Sequence, residues 1–148
     1  MKDLAMKKHI FWPLLTCFLF LGIGAQAQTE AQETPREFEM QEGDTTYVMK
    51  RYVMVFLMRG DQAETFTEQE LEELQAAHLE NINRLAEEGI VAVAGPYGED
   101  TELRGMFILD VGSIEEAKKH VDTDPMIKVG RLRAEYHTWW GAKGTTLP

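Results

Sequence analysis

Three predicted strands of this chain carry apolar residues on both faces, and this pattern limits the folds that the chain can adopt. In residues 52–58, Val53, Val55 and Leu57 alternate with Tyr52, Met54, Phe56 and Met58. Successive residues of a strand point to opposite faces of its sheet, so the pattern predicts a sheet that is buried on both faces. The chain offers two long helices, which are enough to cover only one of those faces.

The other elements follow from periodicity and from the residues that start and stop helices. A helix is predicted from the capping box Thr67–Glu70 to the stop at Gly89, and a second begins at Ser113, where Glu116 closes another box. Asp124-Pro125 opens a short helical turn that ends at Gly130. Strands are predicted at residues 52–58, 90–94, 104–111 and 132–140. This order, βαββαβ, predicts an α+β fold of the ferredoxin-like type.

A second copy of the chain is the simplest cover for the helix-free face of the sheet, which predicts a homodimer. The alternative is that the lead-in or the C-terminal tail folds across this face. Both tails are rich in polar residues, which favours the dimer.

Residues 1–27 are interpreted as a signal peptide. A basic start precedes an apolar run at residues 10–24, and Ala25-Gln26-Ala27 matches a cleavage site. The run is shorter than the roughly 20 residues of a membrane-spanning helix, although an uncleaved anchor is the alternative. We expect export to the periplasm or medium after cleavage near Ala27, with no stable membrane anchor. The remainder divides into a flexible acidic lead-in (28–46), a folded domain (47–142) and a tail (143–148).

The charge and cysteine content exclude some classes of function. With 25 acidic and 15 basic residues, the formal net charge is −10, so nucleic acid is an unfavourable partner. The single cysteine, Cys17, lies in the predicted signal peptide. We therefore expect neither a disulfide nor thiol chemistry in the mature chain.

His78 occupies a position where the pattern of its helix calls for an apolar residue. Leu71, Leu74, Ile82 and Leu85 form the stripe to which it belongs, so its imidazole should face the sheet. A buried imidazole needs a partner, and Asp124 is the attractive one. The pair is either a structural tie or an acid–base dyad. Asp124 precedes Pro125, so it is also a typical helix N-cap.

Four further residues are candidates for the wall of a substrate pocket. Arg59 ends the first strand and could meet an anion, or could be an ordinary solvated charge. Gly95 and Pro96 shape a turn, and glycine also lets a ligand approach the backbone. Tyr97 either lines a pocket or packs as an ordinary aromatic residue. Neither metal-ligand spacing nor a cofactor motif is present, so we expect no metal and no organic cofactor.

Several short motifs resemble the YCII-related (YciI-like) domain family over about residues 52–140. They are Ala77-His78-Leu79, Leu85-Ala86-Glu87-Glu88-Gly89, Ala94-Gly95-Pro96, Asp122-Thr123-Asp124-Pro125 and Lys128-Val129-Gly130. The resemblance implies a dimeric α+β barrel with an active site built on a His and an Asp, which match His78 and Asp124. Two features depart from the family. Gln75-Ala76-Ala77 stands where members often carry an Arg ahead of the His, and the signal peptide is unusual because short members are typically cytoplasmic.

Two classes of function follow from these observations. The first is an exported, cofactor-free acid–base enzyme of the isomerase or lyase type, which uses His78 and Asp124 on a small organic substrate. The second is a non-catalytic dimeric barrel that binds a small molecule or a protein partner. Retention of both His78 and Asp124 favours chemistry, whereas Gln75 in place of the Arg favours binding.

Overall fold

The structure is a computed structural model that describes residues 35–146. The predicted signal peptide at 1–27, the first part of the lead-in and the last two residues of the tail lie outside the described residues. Within 35–146, no helix has the length and apolar character that crossing a membrane requires.

The described chain contains five strands and three helices. The strands are β1 (Glu37–Glu42), β2 (Thr45–Arg59), β3 (Val91–Pro96), β4 (Leu103–Leu109) and β5 (Leu132–Ala142). The helices are α1 (Glu68–Glu87), α2 (Ile114–Val121) and α3 (Pro125–Lys128). The predicted α+β class and ferredoxin-like order are confirmed by β2, α1, β3, β4, α2 and β5.

All strand pairs are antiparallel, and β2 lies at the centre of the sheet. It pairs along one edge with β5, and along the other with β4, which in turn pairs with β3. The carboxyl end of β2 therefore lies beside the amino ends of both neighbours: Met58 is opposite Leu103, and Arg59 is opposite Leu132. This end of the sheet borders the cavity described below.

The lead-in differs from its predicted flexibility at β1, which forms a hairpin with the first half of β2. Glu37 is opposite Lys50 and Glu42 is opposite Thr45, and Gly43 makes the turn with a φ of 58°. All six residues of β1 are exposed. Phe38 and Met40 alternate with polar residues along β1, as in a strand, and charged residues are typical of an exposed sheet edge. Polar composition alone was therefore a wrong guide to this segment.

The predicted ends of α1 are present. The Thr67 side chain accepts a hydrogen bond from the Glu70 backbone N–H, the Glu70 carboxylate accepts from the Thr67 backbone N–H at 2.7 Å, and Gly89 has a φ of 73°. At α2 the predicted N-cap, Ser113, is also present. The second half of the predicted box is wrong, because the Glu116 carboxylate accepts from the backbone N–H of Gly112 rather than from Ser113.

The helices cover one face of the sheet. Val53, Val55 and Leu57 of β2 are buried there, in a core with Leu85 of α1 and Val121 of α2. On the opposite face, alternate residues of β2 and β4 are only half-buried, and they are Tyr52, Met54, Phe56, Met58, Met106 and Ile108. The apolar residues of β2 and β4 therefore do lie on both faces, and the predicted burial of the second face stays a prediction. None of the three helices packs on this second face, which we call the open face.

The Thr67 cap leads to a prediction about stability. Thr67→Ala removes the side-chain half of the capping box and should lower the free energy of unfolding by about 1 kcal/mol. Urea unfolding measures the difference, and Thr46→Ala on exposed β2 is the matched control. The Thr67 backbone N–H holds the pKa of the Glu70 carboxyl below its usual 4.5. The contribution of Glu70 is therefore present at neutral pH and is lost as the pH falls through that lowered pKa. An unchanged stability in Thr67→Ala would contradict the role of this cap.

The open face leads to a prediction about assembly. We predict that a second copy of the chain covers the open face, because contiguous apolar side chains on a solvent-facing protein surface usually mark an interface. Sedimentation at micromolar concentration should give roughly twice the mass of one chain. Phe56→Glu should yield a folded monomer, whereas Asn83→Glu on the exposed surface of α1 should leave the dimer intact. A folded parent protein that stays monomeric would refute the prediction.

Candidate functional site

His78 lies in the middle of α1 and faces the sheet, as its place on the apolar stripe predicts. The residue is 8% exposed. Its ring stacks on Phe107 of β4, with the ring centroids 6.4 Å apart and an angle of 30° between the planes. An aromatic neighbour fixes the plane of the imidazole, which limits the directions in which its two nitrogens can point.

Asp124 is the N-cap of α3, and it contacts His78 as well. One carboxylate oxygen, Oδ1, accepts a hydrogen bond from the Met126 backbone N–H at 2.8 Å. The other, Oδ2, is 2.6 Å from Nδ1 of His78. Asp124 is 1% exposed. The predicted contact and the predicted N-cap role are therefore both present, because the two oxygens of one carboxylate divide the tasks.

The contact with Asp124 determines which nitrogen of His78 is free to react. When the Asp124 carboxyl is ionised it can only accept a hydrogen bond, and Nδ1 is then the donor to Oδ2. In the neutral ring, Nε2 then has a lone pair. Among residues 35–146, Nε2 has no hydrogen-bond partner. This arrangement is suited to taking a proton from a bound molecule, because the resulting positive ring would lie against the Asp124 carboxylate.

A cavity of about 340 Å³ lies beside His78, between α1 and the end of the sheet. This volume is at the lower end of the range for small-molecule pockets. Its walls combine apolar side chains with a few polar groups, and they are Leu57, Arg59, Gln75, His78, Leu79, Ile82, Ala94, Gly95, Pro96, Arg104, Gly105, Phe107, Met126, Arg131 and Leu132.

Three of the four predicted pocket candidates, Arg59, Gly95 and Pro96, line this cavity. Tyr97 does not. Side chains alternate along an extended chain, so with Pro96 at the cavity the next residue points away from it. The Tyr97 backbone N–H donates to the carbonyl oxygen of Arg104 at 3.0 Å, which continues the ladder between β3 and β4 by one residue.

Sequence reasoning missed two arginines of the cavity, Arg104 and Arg131. Arg104 lies near the start of β4, and Arg131 directly precedes β5. Antiparallel pairing with β2 brings both to the end of the sheet where Arg59 lies. The topology was therefore the signal that could have found them, since all three arginines stand at strand ends that the predicted βαββαβ order places together.

Metal binding is not supported by the side chains of the described segment. Between residues 35 and 146, no three His, Cys, Asp or Glu side chains are grouped so that they could hold an ion. Of the other histidines in this segment, His137 is opposite Met54 and contacts the Phe56 ring, so it lies on the open face rather than at the cavity.

Comparison with solved structures and with family models finds proteins that are similar to this chain. Among solved structures, the chain is similar to 5-chloro-2-hydroxyhydroquinone dehydrochlorinase (TftG) from Burkholderia phenoliruptrix, in its complex with 2,5-dihydroxybenzoquinone. The sequence identity is 22% and the TM-score is 0.43, over 59% of this chain and 92% of the other. No curated protein sequence matches. The model of the YCII-related domain matches residues 52–138, which is more than half of the chain. The protein therefore belongs to the YCII-related family.

Proposed function

We propose that this protein is a cofactor-free acid–base enzyme, of the isomerase or lyase type, that acts on a small organic substrate. His78 moves the proton, and Asp124 is the positioning residue that holds the ring. The observation that carries the proposal is the 2.6 Å contact between Nδ1 of His78 and Oδ2 of Asp124 at the wall of a cavity of ligand size.

The reaction begins with Nε2 of His78, which takes a proton from a carbon next to an electron-withdrawing group of the substrate. The bonding electrons stay on the substrate, and the ring becomes positively charged beside the Asp124 carboxylate. In an isomerisation, His78 returns the proton to a different atom. In an elimination, a leaving group departs with its bonding electrons and a double bond remains. The isomerisation restores the neutral enzyme directly. After an elimination, the neutral enzyme returns once the His78 ring has released its proton to solvent.

The position of His78 supports this role over that of a structural tie alone. A histidine that only connected α1 to α3 could equally be buried on every side. Here one edge is engaged by Asp124, while the residue also forms part of the cavity wall. Leu57, Leu79, Phe107 and Met126 give the cavity apolar walls. A charge that develops on a substrate beside such walls is weakly screened.

The first prediction from this proposal concerns His78→Gln. A positioned acid–base group contributes about 10²–10⁴ to the rate, so turnover should fall by at least the lower figure. The measurement is exchange of carbon-bound protons for deuterium, followed by NMR in D₂O over a panel of small carbonyl compounds. This assay detects proton transfer before the natural product is known. His120→Gln, on α2 and away from the cavity, is the matched control.

Two outcomes would contradict the enzyme proposal. Either full exchange activity remains in folded His78→Gln, or ligands bind the parent at the cavity and neither exchange nor conversion occurs. The second outcome favours the alternative, in which the protein is a non-catalytic dimeric barrel that binds a small molecule or a protein partner.

A second prediction separates the two tasks of Asp124. Asparagine is as good an N-cap as aspartate, so Asp124→Asn should keep the start of α3. Its amide would donate to Nδ1 and move the ring proton to Nε2, which removes the base, and exchange should fall by about 10² or more. Asp124→Ala loses the cap and leaves the His78 ring without its partner, so its unfolding free energy should drop by about 2–3 kcal/mol.

The two variants of Asp124 are compared by urea unfolding and by the same exchange assay. Equal activity of Asp124→Asn and the parent would show that the carboxylate serves α3 alone. Equal stability of Asp124→Ala and the parent would contradict the structural role.

A further inference from the structure

The charge of the cavity wall is opposite to the charge of the protein. The chain has 25 acidic residues against 15 lysines and arginines. Among the described residues, however, the cavity is lined by three arginines and by no carboxylate, since Asp124 lies behind His78. A concentration of cations in a cavity of an acidic protein raises the local concentration of anions and repels cations.

Two of the three arginines are engaged by acidic side chains at the edge of the cavity. Arg59 contacts Asp100 at 2.7 Å and Glu64 at 2.9 Å, and Arg104 contacts Asp100 at 2.6 Å. These acidic side chains are more than 80% exposed. Ion pairs of such exposure contribute little to stability, but they largely offset the positive charge of Arg59 and Arg104.

Arg131 differs from the other two. Within residues 35–146, no carboxylate lies within 4.0 Å of its guanidinium. One nitrogen, Nη1, donates to the carbonyl oxygen of Ala63 at 2.7 Å. Arginine has five N–H donors, so most of them are left for another acceptor. Arg131 is half-buried, in contrast to Arg133 two residues later, which is exposed and is paired with Glu135.

The backbone fixes the place of Arg131 at the cavity. The Gly60 backbone N–H donates to the carbonyl oxygen of Arg131 at 2.9 Å, and Gly130 has a φ of 72°. Gly60 lies so close to the backbone of Gly130 and Arg131 that a Cβ at position 60 would overlap them. The bond to Ala63 then limits the directions of the side chain. A guanidinium that is held in this way is ordered before a ligand binds, which lowers the entropy cost of binding.

We infer that Arg131 binds the carboxylate of an anionic substrate and thereby directs the body of that substrate toward His78. The inference rests on the proposed function, because it names the charge of the molecule on which His78 acts. The planar guanidinium matches a carboxylate through two parallel N–H···O bonds. Leu57, Leu79 and Phe107 offer apolar surface to the rest of the molecule. The substrate class is therefore a small organic acid with an apolar or aromatic body.

Benzoate and its neutral analogue benzamide are the probes that test this inference. An apolar cavity of about 150 Å³ holds benzene, so about 340 Å³ accommodates either probe. Titrations followed by NMR give the affinities and the shifts of the His78 ring signals. We expect benzoate to bind the parent about tenfold or more tightly than benzamide. In Arg131→Gln this preference should disappear through loss of benzoate affinity, while benzamide affinity changes less than about threefold.

Arg133→Gln is the matched control, since it removes the same charge from the same stretch of chain without touching the cavity. It should keep the preference for benzoate. A second measurement uses the unaltered protein, so it does not depend on the folding of a variant. In the parent, nuclear Overhauser contacts should join the protons of bound benzoate to the Arg131 side chain.

The inference is overturned if benzoate does not bind the parent, if both probes bind it equally, or if Arg131→Gln retains the preference. Contacts of benzoate with Arg59 or Arg104 but not with Arg131 would overturn it too. These failures differ from failure of the proposed function. Proton exchange that occurs with neutral compounds but not with carboxylates would support the proposed enzyme and refute the anion site. Selective binding of benzoate, without exchange on any compound of the panel, would support the anion site and refute the enzyme.

Discussion

The carboxylate of Asp124 is the group on which the rest of the site depends. At 1% exposure it has no contact with bulk water, so its oxygens need partners within the fold. Oδ1 accepts from the Met126 N–H and starts α3, and Oδ2 holds the imidazole of α1. The same side chain therefore connects α3 with α1, which are far apart in the sequence. Removal of either partner would leave the other buried and unsatisfied, which is the costly change at such a pair.

The cavity exists because the sheet is built from small residues where α1 passes over it. Ala94, Gly95 and Gly105 lie at this end of β3 and β4. The space above them remains unfilled, whereas further along the same strands Leu109 packs fully against the helices. A Cβ at position 105 would be 3.0 Å from the carbonyl oxygen of Gly95, so Gly105 also allows the close approach of the two strands. The small residues thus allow the close approach of β3 and β4 and leave the cavity volume beside His78.

How far the sequence predicts this protein depends on the range of the interaction concerned. The Thr67 cap, the stop at Gly89 and the inward direction of His78 follow from neighbours within a few residues, and these predictions are confirmed. The predicted contact of His78 with Asp124 is also present, although it joins residues 46 positions apart. β1 does not follow from the polar composition of the lead-in. Phe38 and Met40 alternate with polar residues there, which is the period of a strand, and the segment pairs with β2. Arg104 and Arg131 look like ordinary strand-end charges until the sheet places them beside Arg59.

The two faces of the sheet have separate tasks, and this separation bears on assembly. His78, Leu57 and Phe107 belong to the face that the helices cover, so the cavity lies on that side. Met54, Phe56 and Ile108 lie on the open face. In the proposed dimer a partner would bury those apolar side chains on the side of the sheet opposite His78. Val55 and Phe56 are adjacent in β2. A shift of this strand at the open face would therefore also move the core side chains on the face that the helices cover.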